Sequence, residues 1–273
     1  MASALSSHSF TWPFLDVPFG NSNFDYGGDA IINLKDRRIV LTPDEPHHSG
    51  WIWSKQQLVS TAWTSTFEFA ISGKHGLFHG DGFAFWFTRN RGAVSTPSGP
   101  VFGNIDNYVG LAVIFDTFKN SKQLVSHKFP YVSVSIGDGI KGYHFESDNI
   151  ENELGGCSID GLLRNANLRT LARVEYVKEE YLRVLKHNNL QAVEESTNFD
   201  LFYSTSKVSL NLNGDDKSSW KECTLIKNAS LPTFGYMGFT ARTGAASDHH
   251  EIISLETNGI SNVIIYKNFE LQA

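Results

Sequence analysis

The stretch Val109–Asn120, VGLAVIFDTFKN, decides the fold. From Val109 to Asp116 almost every residue is apolar or small, the pattern of a β-strand covered on both faces. The run then breaks into Asp116, Thr117, Phe118, Lys119 and Asn120. A carboxylate and a carboxamide on either side of an aromatic residue bring two side-chain oxygens and one backbone carbonyl towards a common point. Oxygen donors gathered on a bend suit a hard cation such as calcium. The same five residues also read as a polar turn that closes a core strand.

Outward from this stretch the signal is strand, turn, strand. Gly82–Thr88 is another heavily apolar strand, and Trp63–Ser72 alternates, with Phe67, Phe69 and Ile71 on one face and Thr66, Glu68 and Ala70 on the other. Tyr131–Ile136 alternates too, with Gly137-Asp138-Gly139 as its turn. Asp29–Thr42 reads as two short strands around Lys35–Arg38, and Gly50–Val59 carries Trp51, Ile52 and Trp53. Leu168–Leu185 reads as a hairpin around Lys178-Glu179-Glu180 rather than a helix. Strands at Lys207–Leu212, Tyr236–Ala241 and Glu251–Glu256 follow. With eight prolines and no Ser/Gly-rich linker, the chain is expected to be one domain, a large antiparallel β-sandwich.

Composition narrows the function. A content of 41% hydrophobic and 13% aromatic residues supplies a large core and excludes disorder. A net charge of −6 with no Lys/Arg cluster argues against nucleic acid and anionic membrane surfaces. No apolar run of about 18 residues is present to span a bilayer, and the opening MASALSSHSF lacks the basic start and apolar stretch of a signal peptide. Cys157 and Cys223 fit no paired-cysteine zinc pattern. In a secreted domain they would close a loop worth roughly 4 kcal/mol, and in a cytosolic one they would be two unrelated buried thiols.

Polar groups collect at four strand ends: Asp81 in Gly80-Asp81-Gly82, the Asp116–Asn120 bend, the loop of His144, Glu146, Asp148 and Asn149, and the small-residue loop Arg242–Asp248. The first is also an ordinary Asp-Gly turn and the third a solvated acidic loop. The adjacent pairs His47-His48 and His249-His250 point to opposite sides of an extended backbone and do not chelate together. Neither a His-Glu-x-x-His nor a Gly-x-Ser-x-Gly motif occurs. The carboxylate pair of a glycoside hydrolase has no place on strands this apolar, so the chain is not expected to be an enzyme.

Several segments together resemble a known family: TPDEP followed by GWIW (Thr42 to Trp53), GDGFAFWFTR (Gly80 to Arg89), GPVFG with DN (Gly99 to Asn107), and GLAVIFDTFKN. FPYVSVSI (Phe129 to Ile136), GGC with RN (Gly155 to Asn165), WKEC (Trp220 to Cys223), LPTFGYMGFTA and SDHHEIIS continue the series in order. The set resembles the L-type lectin domain of the ER–Golgi cargo receptors, relatives of the leguminous lectins, over roughly residues 10 to 256. The resemblance implies a jelly-roll sandwich that binds mannose-rich N-glycans on glycoprotein cargo through calcium in the lumen of the secretory pathway. It implies calcium ligands at Asp116, the backbone carbonyl of Phe118, Asn120 and Asp148. Sugar contacts are implied at Asp81, Asn120, Phe145 and the loop Gly244-Ala245-Ala246, and a disulfide between Cys157 and Cys223 in an oxidising lumen.

The sequence also departs from the family. Phe145 stands where the family has a histidine, with His144 one residue earlier, and Gly244-Ala245-Ala246 replaces Gly-Gly-Leu or Gly-Asp-Leu. His47 replaces a serine, residues 180–206 read as an insertion, and Val263–Ala273 has no counterpart. No stalk or membrane anchor of those receptors is legible. The calcium set looks whole and the glycan set thinned, so a protein-binding module of the same fold is the alternative to a lectin. Asn228-Ala229-Ser230 is a glycosylation acceptor if the chain enters the lumen, and otherwise an unmodified turn.

Overall fold

Val109–Asp116 forms a strand paired on both sides, and its two faces serve two different cores. Leu111, Val113 and Phe115 point into the space between two sheets, while Ala112 and Ile114 join Trp51, Trp53, Trp86 and Val101 on the opposite face. Both faces exclude water, so both must be apolar. The computed structural model describes residues 2–11, 23–74, 79–92, 99–120, 127–159, 164, 170–178, 204–211 and 220–260.

One sheet runs, in spatial order, β14 (Lys221–Lys227), β13 (Thr205–Asn211), β12 (Thr170–Val177), β7 (Ala62–Ser72), β16 (His249–Ile260), β4 (Arg38–Thr42) and β3 (Ile31–Asn33), with β1 (Ala2–Ala4) on β16. The other runs β11 (Gly155–Ser158), β10 (Tyr131–Asp138), β9 (Val109–Asp116), β8 (Gly82–Thr88), β15 (Phe234–Arg242), β5 (Ser49–Ser54) and β2 (Phe24–Gly28), with β6 (Leu58–Val59) on β15. The pairs are antiparallel, and β7 lies between strands far from it in sequence, which gives an all-β antiparallel sandwich. Aromatic rings fill the space between the sheets. Phe83 and Phe115 stack at 4.5 Å between centroids, and Phe67 meets Phe239 edge-on at 4.9 Å.

Strand register sets out the loops. Gly82 pairs with Asp116 and with Arg242, and Arg242 pairs with Ser49. The chain segments beside these residues, at 79–81, 117–120, 243–248 and 43–48, therefore emerge side by side at one end of the sandwich. Gly82 permits the closest of these approaches. At its φ of 144° a Cβ would lie 2.2 Å from the Phe115 carbonyl oxygen.

The structure corrects the expected elements in places. β12 pairs with β7 and with β13, so the strand that follows it in the sheet is Thr205–Asn211, and residues 181–185 of the expected hairpin lie outside the described residues. Most of the expected insertion at 180–206 lies outside them too, as does Val263–Ala273. β10 continues through Asp138, whose carboxylate accepts from the amides of Ile140 and Lys141 and so starts the turn later than expected. Cys157 on β11 and Cys223 on β14 are joined, with Cα atoms 5.2 Å apart, tying an edge of one sheet to an edge of the other. The bond spans 66 residues of sequence. A Cys157→Ala/Cys223→Ala variant is expected to lose about 4 kcal/mol of stability in urea denaturation, the loop-entropy value for a bridge of this span.

Candidate functional site

Asp116 ends β9 with its side chain 4% exposed, and its Oδ1 accepts the amide of Phe118 at 2.9 Å, which bends the chain out of the sheet. Thr117 continues the bend. Its amide donates to the Asp81 carbonyl at 3.0 Å, so the loop after β9 is fastened to the loop before β8. Asn120 follows on the surface, and its amide donates to Asp148 Oδ1 at 2.9 Å. Asp148 reaches that point because Phe145–Ser147 forms one turn of 3-10 helix and Asp148 caps it in the left-handed region, φ 53°. Asp and Asn accept that backbone more readily than most residues, and Asn149 shares it at φ 59°. The buried Asn149 carboxamide oxygen accepts from the His144 amide at 3.2 Å and fixes the loop from within.

Asp81 lies between the loops. Its amide donates to the Arg242 carbonyl at 3.1 Å, and its peptide bond to Gly80 is cis. Gly244 sits against it, where a Cβ would stand 3.0 Å from Asp81 Oδ1. Ala245 is exposed, whereas Ala246 is turned inward at 6% exposure. In the small-residue loop, Gly244 meets Asp81. Asp81, Asn120 and Phe145 line one hollow of about 300 Å³ together with Phe102, Tyr143 and Arg242. A second hollow of about 780 Å³ shares Asn120, Tyr143 and Phe145 with it. Phe145 is 40% exposed, and Tyr143 packs on it at 4.7 Å and on Phe102 at 6.0 Å, forming an aromatic wall.

The electrostatics of the site work against its own carboxylates. Burial pushes Asp116 well above the usual carboxylate range, and the nearby Asp148 and Asp81 push it further, opposed only by the Phe118 amide. Burial also raises Asp81, with Arg242, the Gly244 amide and His47 opposing. Like charges held close, with Asp116 compensated by a single amide, fit a divalent cation, and the available donors are hard oxygens of the kind calcium takes. Among the described residues no group of three His, Cys, Asp or Glu side chains is placed to hold a metal. The expected set is of mixed kind, two carboxylates, one carboxamide and one backbone carbonyl.

Several contributors escape a reading of the sequence. Thr117 Oγ1 donates to Asp248 Oδ2 at 2.8 Å, and Asp248 Oδ1 accepts Arg164 Nε at 2.6 Å. His79, next to Gly80, lies 3.9 Å from the same carboxylate, which is itself wholly buried. Burial raises Asp248 to about 6 despite these donors. Asp248 thereby ties together the loops that carry Asp116 and Asp81. Tyr143 and Phe102 were also unforeseen, whereas Arg242 opens the small-residue loop already singled out in the sequence.

The chain matches the profile of the legume-like lectin family over residues 2–195 and 186–265. It is 34% identical over 254 residues to the vesicular integral-membrane protein VIP36 of Mus musculus, covering 91% of this chain and 60% of that protein. It is 31% identical over 252 residues to the VIP36-like protein of Homo sapiens, covering 91% of this chain and 62% of that protein. The chain thus spans about three-fifths of the length of these relatives. Among solved structures it superposes on the exoplasmic/lumenal domain of VIP36 in its Ca2+/Man-bound form with a TM-score of 0.77 and 32% identity, covering 93% of this chain and 91% of that one. The Emp47p carbohydrate recognition domain, at 20% identity and a TM-score of 0.65, shares the fold and covers 94% of this chain and 97% of that one. On the family profile and these identities, the chain is a member of the legume-like lectin family.

Proposed function

We propose that this chain is a calcium-dependent lectin for mannose-rich N-glycans of glycoproteins, working in the lumen of the early secretory pathway in glycoprotein sorting, and that it is not an enzyme. The observation that carries the reading is the hydrogen bond from the Asn120 main-chain amide to Asp148 Oδ1 at 2.9 Å, which brings the Asp148 carboxylate beside the buried Asp116 and the Asn120 end of the hollow that Asp81 lines. Asp116, the Phe118 carbonyl, Asn120 and Asp148 would hold calcium, which supplies positive charge to offset the carboxylates and locks their loops. Asp81 and the Asn120 carboxamide then accept and donate hydrogen bonds to vicinal hydroxyls. The exposed Phe145 ring offers an apolar face for a sugar ring. The Ca2+- and mannose-bound forms of the VIP36 domain lend this reading support by similarity. No described helix is long and apolar enough to cross a membrane.

A second reading, a protein-binding module of the same fold, is favoured by Phe145 and Ala245-Ala246, which stand where the family has a histidine and Gly-Leu or Asp-Leu. Binding to a glycan array with and without chelator tests the first reading. Signal for mannose oligosaccharides that disappears with chelator is expected, and none at millimolar calcium sinks it. Capture of enzymatically deglycosylated cargo at undiminished strength supports the second reading instead.

Asp116→Ala is expected to abolish the calorimetric calcium signal. Calcium at about 100 times its Kd should stabilise the wild type by about 2.7 kcal/mol and leave this variant's melting temperature unmoved. Asp81→Asn should weaken mannose binding about 10- to 100-fold, the loss of one hydrogen bond to a charged group, with the calcium titration unchanged. Thr117→Val should raise the calcium needed for half-maximal mannose binding roughly tenfold, because it removes the donor that joins this loop to Asp248. Thr117→Ser keeps the hydroxyl and should behave as wild type in the same titration.

A further inference from the structure

We infer that Asn228 is the acceptor of an N-linked glycan, placed where the sugar screens the edge of β14 and leaves the mannose-binding end of the sandwich clear. The inference rests on the lumenal reading above. Asn228-Ala229-Ser230 is the only Asn-x-Ser/Thr triplet in the chain, and Leu231 rather than proline follows it. Asn228 closes β14 in a tight turn with φ 61°, a conformation that asparagine accepts.

The turn sorts its side chains by polarity. Asn228 and Ser230 are exposed, whereas Ala229 is 1% exposed and Leu231 5%. The Ala229 amide donates to the Ser204 carbonyl at 3.0 Å, and the Leu231 amide to the Tyr176 hydroxyl at 3.3 Å. Both apolar residues are pinned into the core, and a large group on Asn228 extends into solvent without moving either.

Strand register places the turn far from the calcium loops. Lys227 pairs with Thr205, Thr205 with Val177, and Val177 with Ala62, the first residue of β7. The last residue of β7, Ser72, pairs with His249, next to Asp248. β7 has 11 residues, roughly 33 Å at the usual strand rise, so the glycan and the binding hollow lie at opposite ends. The edge itself has a use for cover. Among the described residues β14 is terminal in its sheet, and its Leu225 is 45% exposed, the combination through which edge strands add to one another.

The modification is a glycosyl transfer made during entry into the lumen, before β14 folds. The Asn228 carboxamide nitrogen bonds C1 of the first sugar of a lipid-diphosphate-linked oligosaccharide. The C1–O bond breaks, its electron pair leaves on the lipid diphosphate, and the nitrogen's proton passes to a base of the transferase. The Ser230 hydroxyl completes the triplet that the transferase reads.

The test is expression of the full chain behind a secretion leader in eukaryotic cells, followed by intact mass before and after peptide-N-glycosidase treatment of both medium and cell extract. One removable glycan is expected on the wild type and on Ser230→Thr, and none on Asn228→Gln or Ser230→Ala. Asn228→Gln should keep wild-type calcium-dependent mannose binding. A chain with its Cys157–Cys223 bond formed and no removable mass overturns the inference. A glycosylated chain that binds neither calcium nor mannose leaves the inference standing and sinks the lectin reading.

Discussion

A carboxylate buried at the end of a strand that is covered on both faces is costly to ionise, and the loops around it are arranged in answer to that cost. An ionised Asp116 loses most of its hydration and recovers one amide, from Phe118. The chain then adds Asp148 and Asp81 close by, which makes the negative charge harder to keep. A fold shaped only for stability would place none of the three there. Two carboxylates raised by burial, Asp116 and Asp81, with a third beside them, mark a site for something that restores the balance. Here the group that would restore it is a divalent cation, and the loops carrying the three acids come from distant parts of the chain.

Holding those loops in place falls to the second apolar cluster and to Asp248. The cluster on the outer face of β8 and β9 covers Trp86, Ala112 and Ile114 with Val101, Phe102 and Tyr108 from a single loop. Thr240 Oγ1 donates to the Phe102 carbonyl at 2.7 Å and accepts from Trp86 Nε1 at 2.8 Å, which anchors that loop to β15 and β8. Phe102 in turn lines the hollow beside Asp81. Asp248 does the corresponding work from the other side, since its two oxygens meet Thr117 and Arg164. Apolar packing sets the position of the site, and a buried polar network sets its orientation.

What was legible in the sequence follows from where the information lies. Val109–Asp116 and Gly82–Thr88 are recognisable because two-sided burial writes itself as continuous apolar residues over the full strand. β14, with Lys221, Glu222 and Lys227 on an exposed edge, has no such pattern, and β2 and β11 are too rich in glycine to show alternation. The partner of β12 was misread because local charge at Lys178-Glu179-Glu180 resembles a hairpin turn, while the actual pairing with Thr205–Asn211 is non-local. The site shows the same division. Asp116, Asn120 and Asp148 stand out as acids and amides at strand ends. Asp248 also lies in a polar strand-end loop, but its role does not show there, because it consists in touching Thr117, 131 residues away, a relation that no local pattern encodes.

The departures from the family pattern bear on which sugar contacts remain. An imidazole at the Phe145 position would offer a ring nitrogen to a hydroxyl, whereas a phenyl ring offers only its face and edge. The aromatic wall of Phe102, Tyr143 and Phe145 therefore exchanges one directional contact for apolar area. Directional hydrogen bonds reject a ligand that lacks the matching hydroxyl strongly, while apolar contacts discriminate by shape and only modestly. On the lectin reading proposed above, discrimination between epimeric sugars would fall on Asp81 and Asn120, the polar pair at the rim. On the proposed reading an ion would hold Asn120 directly and Asp81 only through the loop that Thr117 fastens to the Asp81 carbonyl, so hydroxyl recognition would depend on the geometry of the calcium loops.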